Sequence, residues 1–161
     1  MTDRTTIEEE PIMVREKSGM VDITEKLPVR RDATATGEIK LLPSTVEAIR
    51  EMRIAKGDVL ATAKVAALLA VKDTPRIIPM CHNIPITGVD VKLEIERELV
   101  RATVAVRSLG RTGVEMEALS GAAAALLTIW DMVKSLEKDE TGNYPETEIL
   151  GIKVVEKRKE G

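Results

Sequence analysis

Hydrophobic and polar residues alternate along two neighbouring stretches of the chain, residues 86–96 and 99–107. A period of two is the pattern of a strand with one buried face, and only Arg97-Glu98 separates the two stretches. The pattern therefore predicts an antiparallel hairpin with its apolar face against helices and its polar face towards solvent. The apolar positions are Val89, Val91, Leu93, Ile95, Val100, Ala102, Val104 and Val106.

Two weaker strand patterns lie nearer the ends of the chain, over residues 29–41 and 149–155. The second is followed by a basic segment, residues 157–159. Residues 1–18 mix charges with little periodicity, so we expect them to form a tail outside a single folded domain of residues 19–161.

Helix signals occupy much of the remaining chain. Ser44 and Glu47 have the spacing of a capping box, which predicts a first helix that ends near Ala55. Asp58 is expected to cap a second helix that ends near Lys72. This second helix is apolar around almost its whole circumference, so we expect other parts of the protein to cover most of it.

A third and longer helix is predicted over residues 114–137, and a polar break follows at residues 138–147. The predicted order of elements is β-α-α-β-β-α-β. Strands and helices in this order indicate an α+β domain of two layers, with a mostly antiparallel sheet and the helices packed on one face.

The composition narrows the range of functions. With one Trp, one Tyr and no Phe, the chain lacks the aromatic platforms that bind single-stranded nucleic acid. Its net charge of −3 provides no overall basic field for a polyanion. A single cysteine rules out an internal disulfide, no apolar run has the length of a membrane span, and Glu8 to Glu10 do not fit a signal peptide. We therefore expect a cytoplasmic protein that binds neither membranes nor nucleic acids.

Residues 73–85 carry three prolines, so regular structure beyond a turn is not expected there. The segment is nevertheless apolar and contains the only histidine, His82. A rigid, irregular loop of this kind is a candidate site element, although a lone histidine also often has a purely structural role. Cys81 is a weaker candidate for a nucleophile, because its only evident base is His82.

Charged residues at both ends of the third helix are candidates for chemistry. Glu115 and Glu117 could complement the helix dipole or accept hydrogen bonds from a guanine-type ring edge. Asp131 and Lys134 lie on one helix face, where they could form a surface ion pair or, in apolar surroundings that lower the pKa of the lysine, act as acid and base. The cations Lys56, Lys72 and Arg31 could each have a structural or a binding role.

The spacing along this helix sets a further constraint. Glu117 and Asp131 are separated by about 21 Å along the axis and by roughly 40° around it. One small ligand could hardly touch both within one chain, so they serve a long substrate or two subunits share each site. The small residues from Gly121 to Ala125 would allow a close approach of another helix or subunit.

Several motifs occur together in order and in register. They are Met20-Val21-Asp22-Ile23, Lys56-Gly57-Asp58-Val59, Ile78-Pro79-Met80-Cys81-His82, Thr112-Gly113-Val114-Glu115-Met116-Glu117-Ala118-Leu119 and Thr128-Ile129-Trp130-Asp131-Met132-Val133-Lys134. On these motifs, residues 20–158 resemble the cyclic pyranopterin monophosphate synthases, the MoaC family of molybdenum cofactor biosynthesis.

The resemblance implies a ferredoxin-like α+β fold and a hexamer built from dimers, with sites between subunits. It implies conversion of a 3′,8-cyclised dihydro-GTP into cyclic pyranopterin monophosphate with release of diphosphate. The implied catalytic residues are Asp131, Lys134 and Lys56. The implied substrate-binding residues are Met80, Cys81, His82, Met116, Glu117, Glu115, Lys72, Arg31 and Lys157. Trp130 stands where the family commonly has tyrosine.

The predicted activity needs no redox cofactor and no metal held by the protein, although Mg²⁺ could accompany the triphosphate. Two alternatives remain at this stage. One is a non-catalytic oligomer that binds a purine nucleotide, and the other is a nucleotide hydrolase on the same fold.

Overall fold

A computed structural model describes residues 19–161 of the chain, so the predicted tail of residues 1–18 lies outside the described part. The structure contains four strands and three helices in the predicted order. The strands are β1 (Val29–Lys40), β2 (Ile86–Ile95), β3 (Leu99–Gly110) and β4 (Glu148–Glu160). The helices are α1 (Pro43–Arg50), α2 (Val59–Ile77) and α3 (Glu115–Glu137).

The four strands form one antiparallel sheet in the order β2-β3-β1-β4. This is the arrangement of a ferredoxin-like fold, with α1 added after the first strand. Alternate residues of the two central strands are buried against the helices, which form the second layer. The α+β prediction is therefore confirmed, and so is the hairpin of β2 and β3, which pairs Ile95 with Val100.

Helices α2 and α3 lie side by side and run in opposite directions. A Cβ atom at Gly121 would come within 2.9 Å of a Val71 methyl group and 3.4 Å of the Ala67 carbonyl oxygen. Small residues of α3 therefore bring two helices of the same chain together. Because of this contact, the start of α2 lies beside the end of α3, and the end of α2 beside its start.

The predicted capping box of α1 is wrong. The helix begins at Pro43 with Leu42 at the N-cap, and it ends at Arg50 rather than near Ala55. Its Leu42 N–H donates to the buried Glu137 carboxylate at 3.0 Å, and that carboxylate also accepts from the Thr147 hydroxyl at 2.6 Å. A distant carboxylate therefore provides the contact that Glu47 was expected to make.

Helix α2 begins as predicted, since the Asp58 side chain accepts from the Ala61 N–H at 2.9 Å. It continues to Ile77, however, so the irregular segment begins five residues later than expected. Pro75 has no N–H to donate to the Val71 carbonyl oxygen, and the helix ends two residues after it. The expectation that α2 is covered on most sides is also wrong for this chain alone, because Val65 and Leu69 are more than half exposed.

The last strand is longer than predicted, and β4 includes the basic residues 157–159.

Helix α3 is long and apolar enough, by length and composition, to cross a membrane, which the sequence reasoning did not anticipate. Half of its most apolar stretch of 18 residues is buried inside the domain, and residues such as Leu126, Ile129 and Val133 belong to the core. Its apolar character is thus accounted for by packing.

Candidate functional site

A cavity of about 280 Å³ lies at the start of α3. It joins the loop that follows α2 to the first turn of α3, and we call it the front cavity. Two of the predicted binding segments, which are more than thirty residues apart in the sequence, therefore come together. The lining residues are Met80, Cys81, His82, Ile84, Thr112, Gly113, Glu115, Met116 and Glu117.

The sheet register brings two cations to this end of the domain. Lys157 in β4 pairs with Ala33 in β1, whose side chain is buried on the helix face, so Lys157 lies on that face too and bonds to Glu115. Arg31 donates from its Nε to the Gly110 carbonyl oxygen at 3.1 Å. Both predicted cations thus lie beside the front cavity, although their roles in binding stay predictions.

Two carboxyl groups in the front cavity have pKa values shifted in opposite directions. Burial raises the pKa of Glu117, which is only 2% exposed, and the charge of Glu115 adds to this shift. Burial also acts on Glu115, but hydrogen bonds from Lys157 and its own backbone N–H outweigh it and lower the pKa. The cavity therefore holds one carboxylate paired with a cation and one buried carboxyl group suited to sharing a proton.

Cys81 and His82 have less reactive environments than a nucleophile and base would need. Burial, together with the charge of Glu117, raises the pKa of Cys81, so the sulfur stays a thiol at neutral pH. The His82 Nε2 atom lies 2.6 Å from the Val21 carbonyl oxygen. That ring nitrogen therefore helps to hold the N-terminal segment against the loop.

A second cluster, the far cluster, lies at the other end of α3. Lys134 donates to one carboxylate oxygen of Asp131 at 2.8 Å, and Lys56 donates to the other at 3.1 Å. Hydrogen bonds from Lys134 and then Lys56 lower the pKa of Asp131. The predicted trio therefore meets in the structure, with Lys56 reaching α3 from the turn before α2.

The surroundings of the far cluster differ from the expectation of an apolar site. The Asp131 side chain is 58% exposed, and the hydrogen bond to Asp131 raises the pKa of Lys134 instead of lowering it. Within one chain this is an exposed ion pair. Met132 is buried on the core side of the helix, whereas Trp130 is partly exposed and lines an open space beside Asp131 without covering it.

An open cavity of about 390 Å³ adjoins the far cluster. Its lining includes both aromatic residues of the chain, of which the sequence reasoning missed Tyr144 altogether. The signal that could have identified it is rarity, since this is the only tyrosine. The lining residues are Leu127, Trp130, Asp131, Lys134, Tyr144 and Ile149.

Lys72 joins neither group, since it is exposed on α2 and lines neither cavity. Within residues 19–161, no three His, Cys, Asp or Glu side chains converge as a metal site. One chain therefore keeps the front cavity and the exposed far cluster at opposite ends of a helix.

Comparisons with known proteins agree on one family. A model described as "MoaC family" matches residues 20–160. The chain is 62% identical over 144 residues to a probable cyclic pyranopterin monophosphate synthase of Methanosarcina acetivorans, covering 89% of this chain and 91% of that protein. A relative of the same name from Aeropyrum pernix is 61% identical over 88% of this chain and 97% of its own length. A probable cyclic pyranopterin monophosphate synthase accessory protein of Methanothermobacter thermautotrophicus is 56% identical, covering 87% and 88%.

Proposed function

Because the chain belongs to the MoaC family, we propose that it is a cyclic pyranopterin monophosphate synthase of molybdenum cofactor biosynthesis. Its substrate would be 3′,8-cyclo-7,8-dihydroguanosine 5′-triphosphate, and its products cyclic pyranopterin monophosphate and diphosphate. The enzyme would thus be a lyase that rearranges a purine-derived ring and closes a cyclic phosphate.

The observation that supports this proposal best is the double contact of Asp131 with Lys56 and Lys134. The lowered pKa of Asp131 and the raised pKa of Lys134 hold them as a carboxylate and an ammonium group at neutral pH, the states in which the first can accept a proton and the second can donate one. Opening a purine ring and rebuilding it as a pterin requires repeated proton transfers, which this pair can provide in both directions.

The same cluster suits the closing step. A ribose-derived hydroxyl group attacks the α-phosphorus atom, and the bond from that phosphorus to the bridging oxygen of the diphosphate breaks. Asp131 is suited to accept the hydroxyl proton, and the ammonium groups of Lys56 and Lys134 to stabilise charge on the phosphate oxygens.

The front cavity would hold the rest of the substrate. Glu117 and Glu115 can accept hydrogen bonds from the N–H groups of the guanine-derived edge, and Met80 to His82 would form the opposite wall. Arg31 and Lys157, with Lys72, would supply positive charge for the triphosphate. A magnesium ion bound to that triphosphate is compatible with this scheme, and no redox cofactor is required.

The separation of the two clusters supports a site shared between subunits. The front cavity of one chain and the far cluster of another would then face a single substrate. The exposed apolar residues Val65, Leu68 and Leu69 on α2 favour burial in an oligomer. We propose a cytoplasmic homohexamer built as a trimer of dimers.

The test is to incubate purified protein with the cyclised dihydro-GTP and to measure diphosphate and the cyclic pterin. We expect both products in equal amounts. Binding without either product would favour a non-catalytic binding protein, in keeping with the name of the Methanothermobacter relative. Phosphate release from GTP itself would instead indicate a nucleotide hydrolase.

A further inference from the structure

The two aromatic side chains of the described residues lie in direct contact beside the far cluster. The ring centroids of Trp130 and Tyr144 are 5.3 Å apart, with the planes at 73°. This edge-to-face geometry is a favourable arrangement of two aromatic rings. A chain with so few aromatic residues therefore places this pair next to Asp131 and Lys134.

A tightly bonded loop holds Tyr144 in this place. One carboxylate oxygen of Asp139 accepts from the Thr141 N–H at 2.8 Å and from the Asn143 N–H at 3.1 Å. The Asp139 N–H in turn donates to the Asn143 carbonyl oxygen at 2.9 Å. Three residues after Tyr144, Thr147 donates to the buried Glu137. Tyr144 is thus fixed from both sides in the sequence.

Trp130 packs partly against the core, but the pair leaves the cavity beside it open. Trp130 and Tyr144 are both partly exposed, and they line an open space of about 390 Å³ with Leu127 and Ile149. This wall is apolar, whereas Asp131 and Lys134 provide charged groups at its edge. An apolar surface with a proton donor and acceptor at its border fits a flat heterocycle that undergoes proton transfer.

We propose that Trp130 and Tyr144 form the wall against which the fused ring of the substrate packs while Asp131 and Lys134 exchange protons with it. This inference rests on the proposed function and adds two substrate-contacting residues to it. Tyr144 contributes through its ring, so its hydroxyl group is dispensable for binding.

Trp130 offers a direct readout, because it is the only tryptophan in the chain. We expect GTP, used as a stable probe, to quench the tryptophan fluorescence of the wild-type oligomer in a saturable way. Inorganic tripolyphosphate, which has no ring, is expected to leave it unchanged. Equal effects of the two probes, or no effect of GTP when calorimetry shows that it binds, would overturn the proposal.

Variants of Tyr144 test its ring separately from its hydroxyl group. Stacking on an aromatic side chain contributes enough that Tyr144→Leu should raise the Kd for GTP about 10-fold, with Tyr144→Phe within about twofold of wild type. An unchanged Kd in Tyr144→Leu would contradict the proposal. The wild-type probe comparison needs no variant, so it decides the question even where Tyr144→Leu fails to fold.

The test of the aromatic wall can fail while the test of the proposed synthase activity succeeds, and the two failures look different. Diphosphate release from the cyclised substrate tests the function, and an elevated KM in Tyr144→Leu tests the wall. Full wild-type turnover with an unchanged KM and kcat in Tyr144→Leu would reject the wall alone. Absence of turnover in the wild type would reject the function.

Discussion

The two ends of α3 present acidic groups in opposite environments. At the front end, burial raises the pKa of Glu117, and Cys81 beside it stays a thiol. At the far end, Asp131 is exposed and bonded to two lysines, which lower its pKa. One helix therefore carries a carboxyl group whose surroundings favour the protonated form and another that is held as a carboxylate.

This difference indicates what each end lacks by itself. The front cavity contains the buried Glu117 and the Glu115–Lys157 pair, but it lacks the carboxylate held between two lysines that marks the far cluster. The far cluster has that pair but is open to solvent, where electrostatic interactions are weak. Bringing the two together across a subunit interface would give the proton-exchange pair the low-dielectric surroundings that the single chain does not supply.

The largest loss of activity is expected from substitutions in the far cluster. Asp131→Asn or Lys134→Ala should lower kcat by about 10²- to 10⁴-fold, since each removes a group that transfers protons. The measurement is diphosphate release under saturating substrate. Lys92→Ala, which removes an exposed lysine of β2 outside both clusters, is the matched control and should keep the wild-type rate. A near-normal rate in Asp131→Asn would remove the catalytic role from this end.

Mixing subunits tests whether the two ends serve one site. Glu117→Ala and Asp131→Ala should each be inactive alone, whereas a one-to-one mixture should recover about a quarter of wild-type activity. This follows because half of the dimers would be mixed, and each of these would contain one intact site. Activity is measured after joint refolding or co-expression. If no ratio of the two variants restored activity, both ends would have to act within one chain.

A smaller effect is expected from the contact that aligns the two ends. Gly121→Val should lower the free energy of unfolding by about 1–3 kcal/mol, because its side chain would overlap Val71 and Val104. Urea unfolding monitored by circular dichroism measures this change. Ser135→Val places the same side chain on the exposed side of α3 and should change stability by less than about 0.5 kcal/mol. Equal costs at the two positions would show that the α2–α3 contact is not tight.

The smallest expected effect is a pH-dependent change in thermal stability that arises from the raised pKa of Glu117. Its pKa is raised in the folded state, so folding favours the protonated form, and stability falls as pH rises from the ordinary value of 4.5 through the raised one. Glu117→Gln should therefore raise Tm at pH 7, with a gain that disappears as pH falls towards 4.5. Thermal unfolding across this range is the measurement.

Asp131→Asn is the natural comparison for the pH experiment, because the lowered pKa of Asp131 gives the opposite sign. Any stability it contributes is present above pH 3.8 and is lost on acidification. The group is exposed, so this contribution is small and sensitive to salt. A gain in Tm for Glu117→Gln that grew on acidification would show that its carboxylate is stabilised by folding.

Much of the fold could be predicted because its determinants are local. Alternation identified β2 and β3, and Asp58 marked the start of α2, since a cap acts within a few residues. The start of α1 could not be predicted in this way. Its backbone is bonded to Glu137, which is distant in the sequence, and no local pattern reveals that contact.

The site was predictable to a different degree at each end. The trio of Lys56, Asp131 and Lys134 follows from the family motifs and does meet in the structure. The exposure of Asp131 was not predictable from its apolar neighbours, because successive residues of a helix project in different directions. The contact of Lys157 with Glu115 depends on a strand that extends further than its alternation indicated.

The position of β1 in the sheet has a consequence for folding while the chain is being synthesised. This strand is synthesised first, yet its two neighbours are β3 and β4, and β4 lies more than a hundred residues further along the chain. At about 5–20 residues per second, the ribosome delivers β4 on the order of ten seconds after β1. During that interval β1 has an open edge, and Arg31 lacks the strand that brings Lys157 to the same end of the domain. The nascent chain therefore has a period in which it needs protection from aggregation and in which Glu115 of the front cavity lacks its Lys157 partner.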